Sequence, residues 1–392
     1  MPTTAVCGII TRMKKAIRTH ISLAALLLCA ELGASALTLQ QLKQLVRQKQ
    51  KPQAAEAAAP ELPPAPAEAQ PDGTETLRPF ETNDENAPAV YFTRNISPDG
   101  LVSLFGALGF EAKGRVGVRI NAGEPPRSYH LRPGLMARLV RDTLHGTLLD
   151  SNAVDGGCRK NSYMHRQVIK DRRFEEVAAF DILDEEGTEE IPATAGENLS
   201  RAYVGSHFFD YDSFVVLTHF SGDGTFGFSG AMASLALGFS SGILSADSGK
   251  TLIYSGGRTA DGSRFEIERE NAPRAQVQEC AAEAAKAILD EMRKKGGAAF
   301  ITVLNNLSAD SDDCGTPAAP AISDIGICAS LDPLALDQAC LDLVLTAPQN
   351  GAGPSQSIAE RVESRNGVHM LEHAQSIRLG EGSRSYRLLR VE

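Results

Sequence analysis

Short apolar segments alternate with helix-forming segments from residue 90 onwards, and this alternation restricts the fold more than any other feature of the chain. Strands that alternate with helices form a largely parallel sheet that helices cover on both faces. We therefore predict an α/β fold, a mostly parallel mixed sheet with helices on both faces, in a single large domain over residues 90–392. The predicted strands are 90–92, 116–120, 147–149, 180–183, 214–217, 300–304 and 325–329, and the predicted helices are 98–108, 133–144, 275–295 and 333–345.

The first 36 residues have the pattern of an export signal. Basic residues up to Arg18 precede a short apolar stretch at 21–30, and Ala34-Ser35-Ala36 offers small side chains for cleavage. The apolar stretch is too short to span a bilayer. We therefore predict a periplasmic or otherwise exported protein, with no transmembrane span once the signal is removed. Met1 and Met13 are both candidate start residues.

The segment that follows the signal differs in composition from the predicted domain. Residues 37–50 predict a short helix with regularly spaced leucines, whereas residues 51–89 are dominated by Ala, Pro, Glu and Gln. Such a composition cannot bury a core and is typical of an extended linker. The predicted organisation is therefore a signal peptide at 1–36, a helix and linker at 37–89, and a folded domain at 90–392.

Charge and cysteine content limit the partners of the chain. Its formal net charge is −10 over 392 residues, which argues against nucleic acid or anionic lipid as the main partner, because both require a basic surface. After removal of the predicted signal five cysteines remain, an odd number, so at least one is unpaired within a monomer. Their pairing stays open from the sequence; they are Cys158, Cys280, Cys314, Cys328 and Cys340.

A glycine-rich loop at 221–230 lies between a predicted strand and a helix-like run that begins at Ala231. Glycines allow the backbone to approach a ligand closely, and the N–H groups at the start of the helix would bind an anion. Gly222, Gly224 and Gly227 also match a dinucleotide-binding fingerprint, with Asp247 at about the distance of the ribose-binding acid. A plain glycine turn is the alternative interpretation, and it is favoured because no clear βαβ unit of the right length follows.

An acidic segment follows the predicted strand 300–304. It begins with Asn305 and Asn306, and Asp310, Asp312 and Cys314 occupy the first, third and fifth places of a calcium-loop pattern that is incomplete. Ligands gather at strand ends in open α/β sheets, so these side chains predict a site for a hard cation. A solvated acidic turn is the alternative.

Two histidines, His207 and His219, flank the strand that leads into the glycine loop. They are candidate metal ligands, although a single histidine among apolar residues is more often a hydrogen-bonded core residue. The sequence contains no Cys-x-x-Cys, His-Glu-x-x-His or Walker motif. A catalytic role for Asp337 or Glu124 as general base lacks a nucleophile–base pair to support it.

Ten short motifs spread over residues 90–392 resemble one family. They are Val90-Tyr91-Phe92-Thr93, Gly123-Glu124-Pro125, Val204-Gly205-Ser206-His207-Phe208, Asp210-Tyr211-Asp212, Thr218-His219-Phe220, Asn305-Asn306-Leu307-Ser308, Asp324-Ile325-Gly326-Ile327, Ala329-Ser330-Leu331-Asp332-Pro333, Ala335-Leu336-Asp337-Gln338-Ala339-Cys340 and Glu363-Ser364-Arg365-Asn366-Gly367. The chain resembles the domain of unknown function 362 family, whose members are often labelled iron–sulfur centre proteins. The resemblance implies an α/β domain.

The family resemblance also implies a site that this sequence has altered. Some members carry a four-iron–four-sulfur ferredoxin module, which is absent from this sequence. Relatives carry a cysteine-Asp-cysteine element after the paired asparagines, where this chain has Ser311-Asp312-Asp313 and a cysteine one place later. Exchange of thiolates for hydroxyl and carboxylate oxygen favours a hard cation or no metal. An iron–sulfur cluster is therefore not the expected cofactor.

These observations predict a protein that binds a metal ion or a small ligand at the edge of the sheet. A non-catalytic envelope protein that binds a protein partner, and a hydrolase or oxidoreductase of unknown substrate, are the alternatives. The predicted ligand-binding residues are Glu124, Asn152, Gly222, Gly224, Gly227, Asn305 and Asn306, and the predicted metal ligands are His207, His219, Asp310, Asp312 and Cys314.

Overall fold

The structure, a computed structural model, describes residues 77–392 except 155, 244, 246–247, 321 and 349–356. The predicted signal peptide, the helix at 37–50, most of the predicted linker and Asp247 lie outside the described residues. Those predictions are therefore untested.

The predicted mostly parallel mixed sheet is confirmed. Eight strands form one sheet in the order β12-β1-β11-β10-β7-β2-β3-β4, in which β11 alone runs antiparallel to its neighbours. Two hairpins, β5–β6 and β8–β9, lie outside it. The strands in the described part of the chain are β1 Ala89–Thr93, β2 Val116–Arg119, β3 Thr147–Asp150, β4 Phe180–Ile182, β5 Thr188–Pro192, β6 Arg201–Gly205, β7 Ser213–His219, β8 Ser221–Asp223, β9 Gly227–Ser229, β10 Ala298–Leu304, β11 Gly326–Ser330 and β12 Arg387–Arg390.

Each of the four predicted helices is present, and the second of them is divided. Its first part is α-helical and its second part, Arg138–Thr143, is a π-helix. The α-helices of the described residues are α1 Pro98–Ala107, α2 Pro133–Ala137, α3 Ser162–Asp171, α4 Ala231–Phe239, α5 Gly249–Tyr254, α6 Phe265–Asn271, α7 Arg274–Arg293, α8 Pro333–Thr346, α9 Ile358–Ser364 and α10 His369–Ser376. None of them has the length and apolar composition needed to cross a membrane.

Strand β7 divides the hydrophobic core into two layers. All seven of its residues are buried, and alternate side chains point to opposite faces of the sheet. Phe214 and Val216 pack in one layer with helices α4, α7 and α8, whereas Val215 and Leu217 pack in the other with α1 and α2. A strand covered on both faces is apolar without alternation, which is why residues 214–217 are continuously hydrophobic.

The order of the strands places a switch point between β2 and β7. From β2 the chain builds outward through β3 to β4, and it then returns to place β7 on the other side of β2. In open α/β sheets, ligands bind outside the carboxyl ends of the strands at such a point. The residues that follow β2 and β7 are therefore where a site is expected.

Helix α10 is held to α7 by two histidine–carboxylate pairs. His369 Nε2 lies 2.9 Å from Glu279 Oε1, and His373 Nε2 lies 3.1 Å from Glu283 Oε1. The two histidines are four residues apart on α10 and the two glutamates are four residues apart on α7, so each set shares one face of its helix. Glu283 also accepts hydrogen bonds from the backbone N–H groups of Glu197 and Leu199.

We expect substitution His373→Gln to lower the free energy of unfolding by about 1–2 kcal/mol at pH 6. The hydrogen bond to Glu283 raises the pKa of His373, although burial opposes it. The pair therefore stabilises the fold fully below pH 6.5, the ordinary pKa of histidine, and this contribution is lost as the pH rises through the raised value. Chemical denaturation between pH 6 and pH 9 measures the effect.

The control for this variant is His145→Asn. His145 is exposed, and its positive φ of 47° suits asparagine. The control should leave the pH dependence of stability unchanged, whereas His373→Gln should flatten it. Parallel pH curves for wild type and His373→Gln would contradict the role of the pair.

Candidate functional site

Charged side chains converge at the carboxyl ends of β2, β3 and β7. Arg119 ends β2, Asp150 ends β3 and His219 ends β7, and all three are at most 5% exposed. Asp312 and Asp313, in the loop after β10, complete the group. Because the carboxyl ends of parallel strands meet at one edge of the sheet, the fold brings these distant residues together.

Asp150 is the centre of a buried polar network. Its carboxylate accepts hydrogen bonds from the Ala122 and Ser151 backbone N–H groups and from Arg159 Nη1 at 3.2 Å. Burial alone would raise the pKa of Asp150, but the hydrogen bond with His165 and the charges of Arg119 and Arg159 hold it well below its usual range. Asp150 is therefore a permanent anion whose charge is already neutralised by these neighbours.

Arg119 is buried without a full set of partners. Its Nη2 lies 3.6 Å from Asp150 Oδ1, and no hydrogen-bond partner of the buried Nε is present among the described residues. Most buried polar groups are hydrogen-bonded, so an unpaired guanidinium N–H requires an explanation. The side chain lies against Gly238 of α4, where an added Cβ would come within 1.9 Å of Nε. Glycine at this position therefore makes room for the arginine.

Lys250 enters the same region from α5. The residue is only 8% exposed, and its Nζ contacts the carbonyl oxygens of Ser151 (3.4 Å) and Asn152. Among the described residues, no carboxylate forms an ion pair with it. Burial lowers the pKa of Lys250, opposed by the charges of Asp184 and Asp150.

His219 is fixed by acceptors on both ring nitrogens. Nδ1 lies 3.0 Å from Asp312 Oδ1, and Nε2 lies 2.6 Å from the Asn305 carbonyl oxygen. Burial alone would lower its pKa, but the Asp312 carboxylate and the Asn305 carbonyl raise it. Two acceptors favour the doubly protonated ring, which has no lone pair to offer a metal ion.

Two small cavities open between these side chains, and together they form what we call the strand-end cleft. The first is lined by Thr218, His219 and Asp312, the second by Asp150, Arg159 and Lys250, and both by Arg119 and Asp313. Each has a volume of about 30 Å³, which is room for about two water molecules. The cleft therefore fits a ligand of a few heavy atoms and is too small for a nucleotide.

The glycine loop forms the β8–β9 hairpin and is not a phosphate cradle. Ser221 and Asp223 of the hairpin line the first cavity. The N–H groups of Ala231 and Met232, at the start of α4, donate to the carboxylate of Asp337 at 2.6 and 2.9 Å. The prediction that these groups are free for an external anion is therefore wrong, because Asp337 of α8 occupies them. The plain-turn alternative describes the hairpin.

Some of the predicted ligand-binding residues hold side chains of the cleft in place, and the others form turns. Glu124 Oε1 accepts from Cys158 N at 2.6 Å beside Arg159, and Asn152 lends its carbonyl to Lys250. The Asn305 carbonyl oxygen accepts the hydrogen bond from His219 Nε2. Asn306 adopts a positive φ of 47° in the turn after β10. Gly222, Gly224 and Gly227 belong to the hairpin, and Gly222 packs on the Ala309 carbonyl.

The five predicted metal ligands do not form one metal site. Only His219 and Asp312 meet, and they do so as a hydrogen-bonded pair. His207 binds Asp181 at 2.8 Å beside the edge strand β4, and Asp310 binds Arg361 and the Ala318 N–H. Cys314 lies in the turn after Asp313. Among the described residues, no group of three or more His, Cys, Asp and Glu side chains is placed to hold a metal ion.

An iron–sulfur cluster does not fit the described cysteines. All five are free, and Cys280, Cys328 and Cys340 are buried in the hydrophobic core. Only Cys158 and Cys314 are partly exposed, whereas a cluster needs about four thiolates around one cavity.

Sequence reasoning missed the cations of the cleft. The candidate residues named from the sequence do not include Arg119, Arg159, Lys250 or Asp150. Arg119 nevertheless lies at the end of a correctly predicted strand, and Asp150 directly follows another. A search for charged residues at the carboxyl ends of the predicted strands would have found Arg119 and Asp150. Nothing local marks Lys250, because its place depends on how α5 packs against α7 and β6.

The fold and the cleft define an α/β protein with a polar site at the carboxyl edge of a mostly parallel sheet. Residues 116–342, more than half of the chain, match the family model described as Domain of unknown function (DUF362). The chain belongs to this family, which confirms the resemblance predicted from its motifs. No curated protein matches the chain.

Among solved structures, two similar chains are a Thermotoga maritima protein and the lactate racemase apoprotein from Thermoanaerobacterium thermosaccharolyticum. Each is 15% identical, with TM-scores of 0.33 and 0.32. The alignments cover 62% and 55% of this chain and 57% and 50% of the two structures, less than two thirds of either. Similarity this low transfers no function.

Proposed function

We propose that the protein binds a small anion, a carboxylate or an oxyanion, in the strand-end cleft, with Arg119 as its cationic contact. The observation that carries the proposal is the buried Arg119 Nε, which has no hydrogen-bond partner in the described part of the chain. A charged acceptor in the cleft would satisfy it.

The pairing of charges in the cleft supports an anion over a cation. Arg159 is paired with Asp150 and Asp313, and His219 is paired with Asp312. These pairs account for the carboxylates that line the two cavities apart from Asp223, which accepts the Thr225 and Phe226 N–H groups and whose pKa is raised by burial. Arg119 is only partly compensated, so its guanidinium supplies positive charge that is left for an anion.

Thermal unfolding in a panel of sodium salts tests the proposal. Formate, acetate, pyruvate, carbonate, phosphate and sulfate serve as probes, with chloride at matched ionic strength as reference. A ligand at a hundred times its Kd stabilises the folded state by about 2.7 kcal/mol, so we expect Tm to rise by several degrees for at least one anion. Substitution Arg119→Met should weaken this binding about tenfold or more, because a charge-assisted hydrogen bond contributes about 1.5–3 kcal/mol.

The matched control is Arg201→Met, since Arg201 forms an exposed ion pair with Glu190 on the β5–β6 hairpin. The control should bind like wild type. Divalent cations belong in the same panel because the sequence predicted a metal site. Stabilisation by a cation with no response to any anion would replace the proposal by the metal hypothesis, and no response to either would favour the envelope interaction protein.

A further inference from the structure

Lys250 is held rigidly in the wall of the cleft. It is the second residue of α5, whose first turn is capped by Ser248 through a hydrogen bond from the Thr251 N–H. The Lys250 N–H donates to the Ser241 carbonyl at 3.0 Å, and Ser248 Oγ donates to the same carbonyl at 2.7 Å. The first turn of α5, from which the amine enters the cleft, is therefore held in place by hydrogen bonds.

The surroundings of Lys250 Nζ suit a neutral amine. Two carbonyl oxygens, those of Ser151 and Asn152, accept its hydrogens, and a neutral amine has two N–H groups and one lone pair. Burial and the charge of Arg159 lower the pKa of Lys250, although the charges of Asp184, Asp150 and Asp313 oppose them. A desolvated lysine of this kind is the nucleophile that reacts with carbonyl compounds.

Arg119 lies in the wall of the same cavity as Lys250. A guanidinium binds a carboxylate through two parallel hydrogen bonds, and Arg119 Nε, like Arg159 Nε in the same cavity, is a buried donor without a hydrogen-bond partner among the described residues. A ligand that satisfied both residues would carry a carboxylate and, one bond away, an electrophilic carbonyl carbon. The volume of the cleft restricts such a ligand to two or three carbons.

We propose that Lys250 condenses with the carbonyl group of a small 2-oxo acid whose carboxylate is bound by Arg119. In this step the carbonyl C=O bond is replaced by a C=N bond to Nζ. Both amine hydrogens leave with the carbonyl oxygen as one water molecule, and no oxidant or reductant is needed. This inference rests on the proposed function, because it places the anion site of Arg119 beside the reacting amine.

Borohydride trapping tests the inference. The full-length protein is incubated with glyoxylate or pyruvate, treated with sodium borohydride, digested and mapped by mass spectrometry. With pyruvate, the peptide that contains Lys250 should gain the mass of one pyruvic acid less one oxygen atom. Because burial lowers the pKa of the Lys250 amine, trapping at Lys250 should exceed that at every exposed lysine.

Two variants and one salt series separate the possible results. Lys250→Arg keeps a cation but cannot form the imine, and it should lose the modification. Lys294→Arg, at a lysine paired with Glu291 on the surface, should keep it. Absence of trapping at Lys250, with Tm still raised by acetate or formate, would overturn the imine and leave the anion site intact. Absence of any anion response would overturn the proposed function itself, whereas trapping that Arg119→Met slows by about tenfold would support both.

Discussion

Replacement of Asp337 by alanine should lower the free energy of unfolding by about 3–5 kcal/mol. Asp337 is completely buried, and its two carboxylate oxygens accept the N–H groups of Ala231 and Met232 at the start of α4. Alanine would leave two buried donors without partners and would open a cavity. Chemical denaturation at pH 7 measures the loss.

The pH dependence of the same residue provides a second readout. Burial raises the pKa of Asp337 to about 7 from 3.8, although the two backbone hydrogen bonds oppose it. The folded state therefore binds a proton more tightly than the unfolded state, so this residue's contribution to stability is greatest below pH 3.8 and falls as the pH rises to about 7. Asp337→Asn should remove this dependence.

The matched control is Asp290→Ala, since Asp290 forms a half-exposed ion pair with Lys286 one helical turn away. It should change stability by less than about 0.5 kcal/mol. A loss for Asp337→Ala no larger than that of the control would show that α4 does not depend on this carboxylate.

Substitution Gly238→Ala should abolish most anion binding without a change in any charged residue. The new Cβ would lie 1.9 Å from Arg119 Nε and 2.4 Å from its Cζ, closer than real contacts allow, so the guanidinium must leave its position. We expect anion affinity to fall by about tenfold or more, the same loss as removal of a charge-assisted hydrogen bond. The clash should also cost about 1–3 kcal/mol of stability.

Gly106→Ala is the control for Gly238→Ala. Gly106 lies in helix α1, and an added Cβ would meet nothing within 4 Å. Alanine is the better helix former, so this control should gain about 0.5–1 kcal/mol. If Gly238→Ala gained stability like the control and still bound anions, Arg119 would not be the residue on which the cleft depends. Thermal shift with the anion that raises Tm in the salt panel measures binding, and chemical denaturation measures stability.

The glycine loop shows how local reasoning can identify a region and still misjudge its chemistry. The sequence correctly placed a turn between an apolar strand and a helix, and the hairpin does border the cleft. It could not show that the N–H groups at the start of α4 are already bound by Asp337, a residue 106 positions away. The acidic segment gave a similar result, because Asp312 lies at the cleft as a partner of His219 and Asp310 lies elsewhere, against Arg361.

The elements that the sequence did not predict are mostly short or weakly patterned. Helix α5 has six residues and α9 has seven, too few to display a helical period clearly. The hairpin strands β8 and β9 have three residues each. Their conformation comes from packing on neighbouring elements, α5 on α7 and α9 on the β8–β9 hairpin, more than from their own propensity.

The sequence by itself determined the α/β class, the seven principal strands of the sheet and membership in the family. These properties can be predicted from neighbouring residues, because burial of one face of a strand or helix fixes the spacing of apolar residues along it. Only the tertiary structure decided that Arg119, Lys250 and Asp150 share one cleft and that His219 is held by Asp312. These contacts depend on the order of the strands and on how the helices pack, which bring together residues that no local pattern connects.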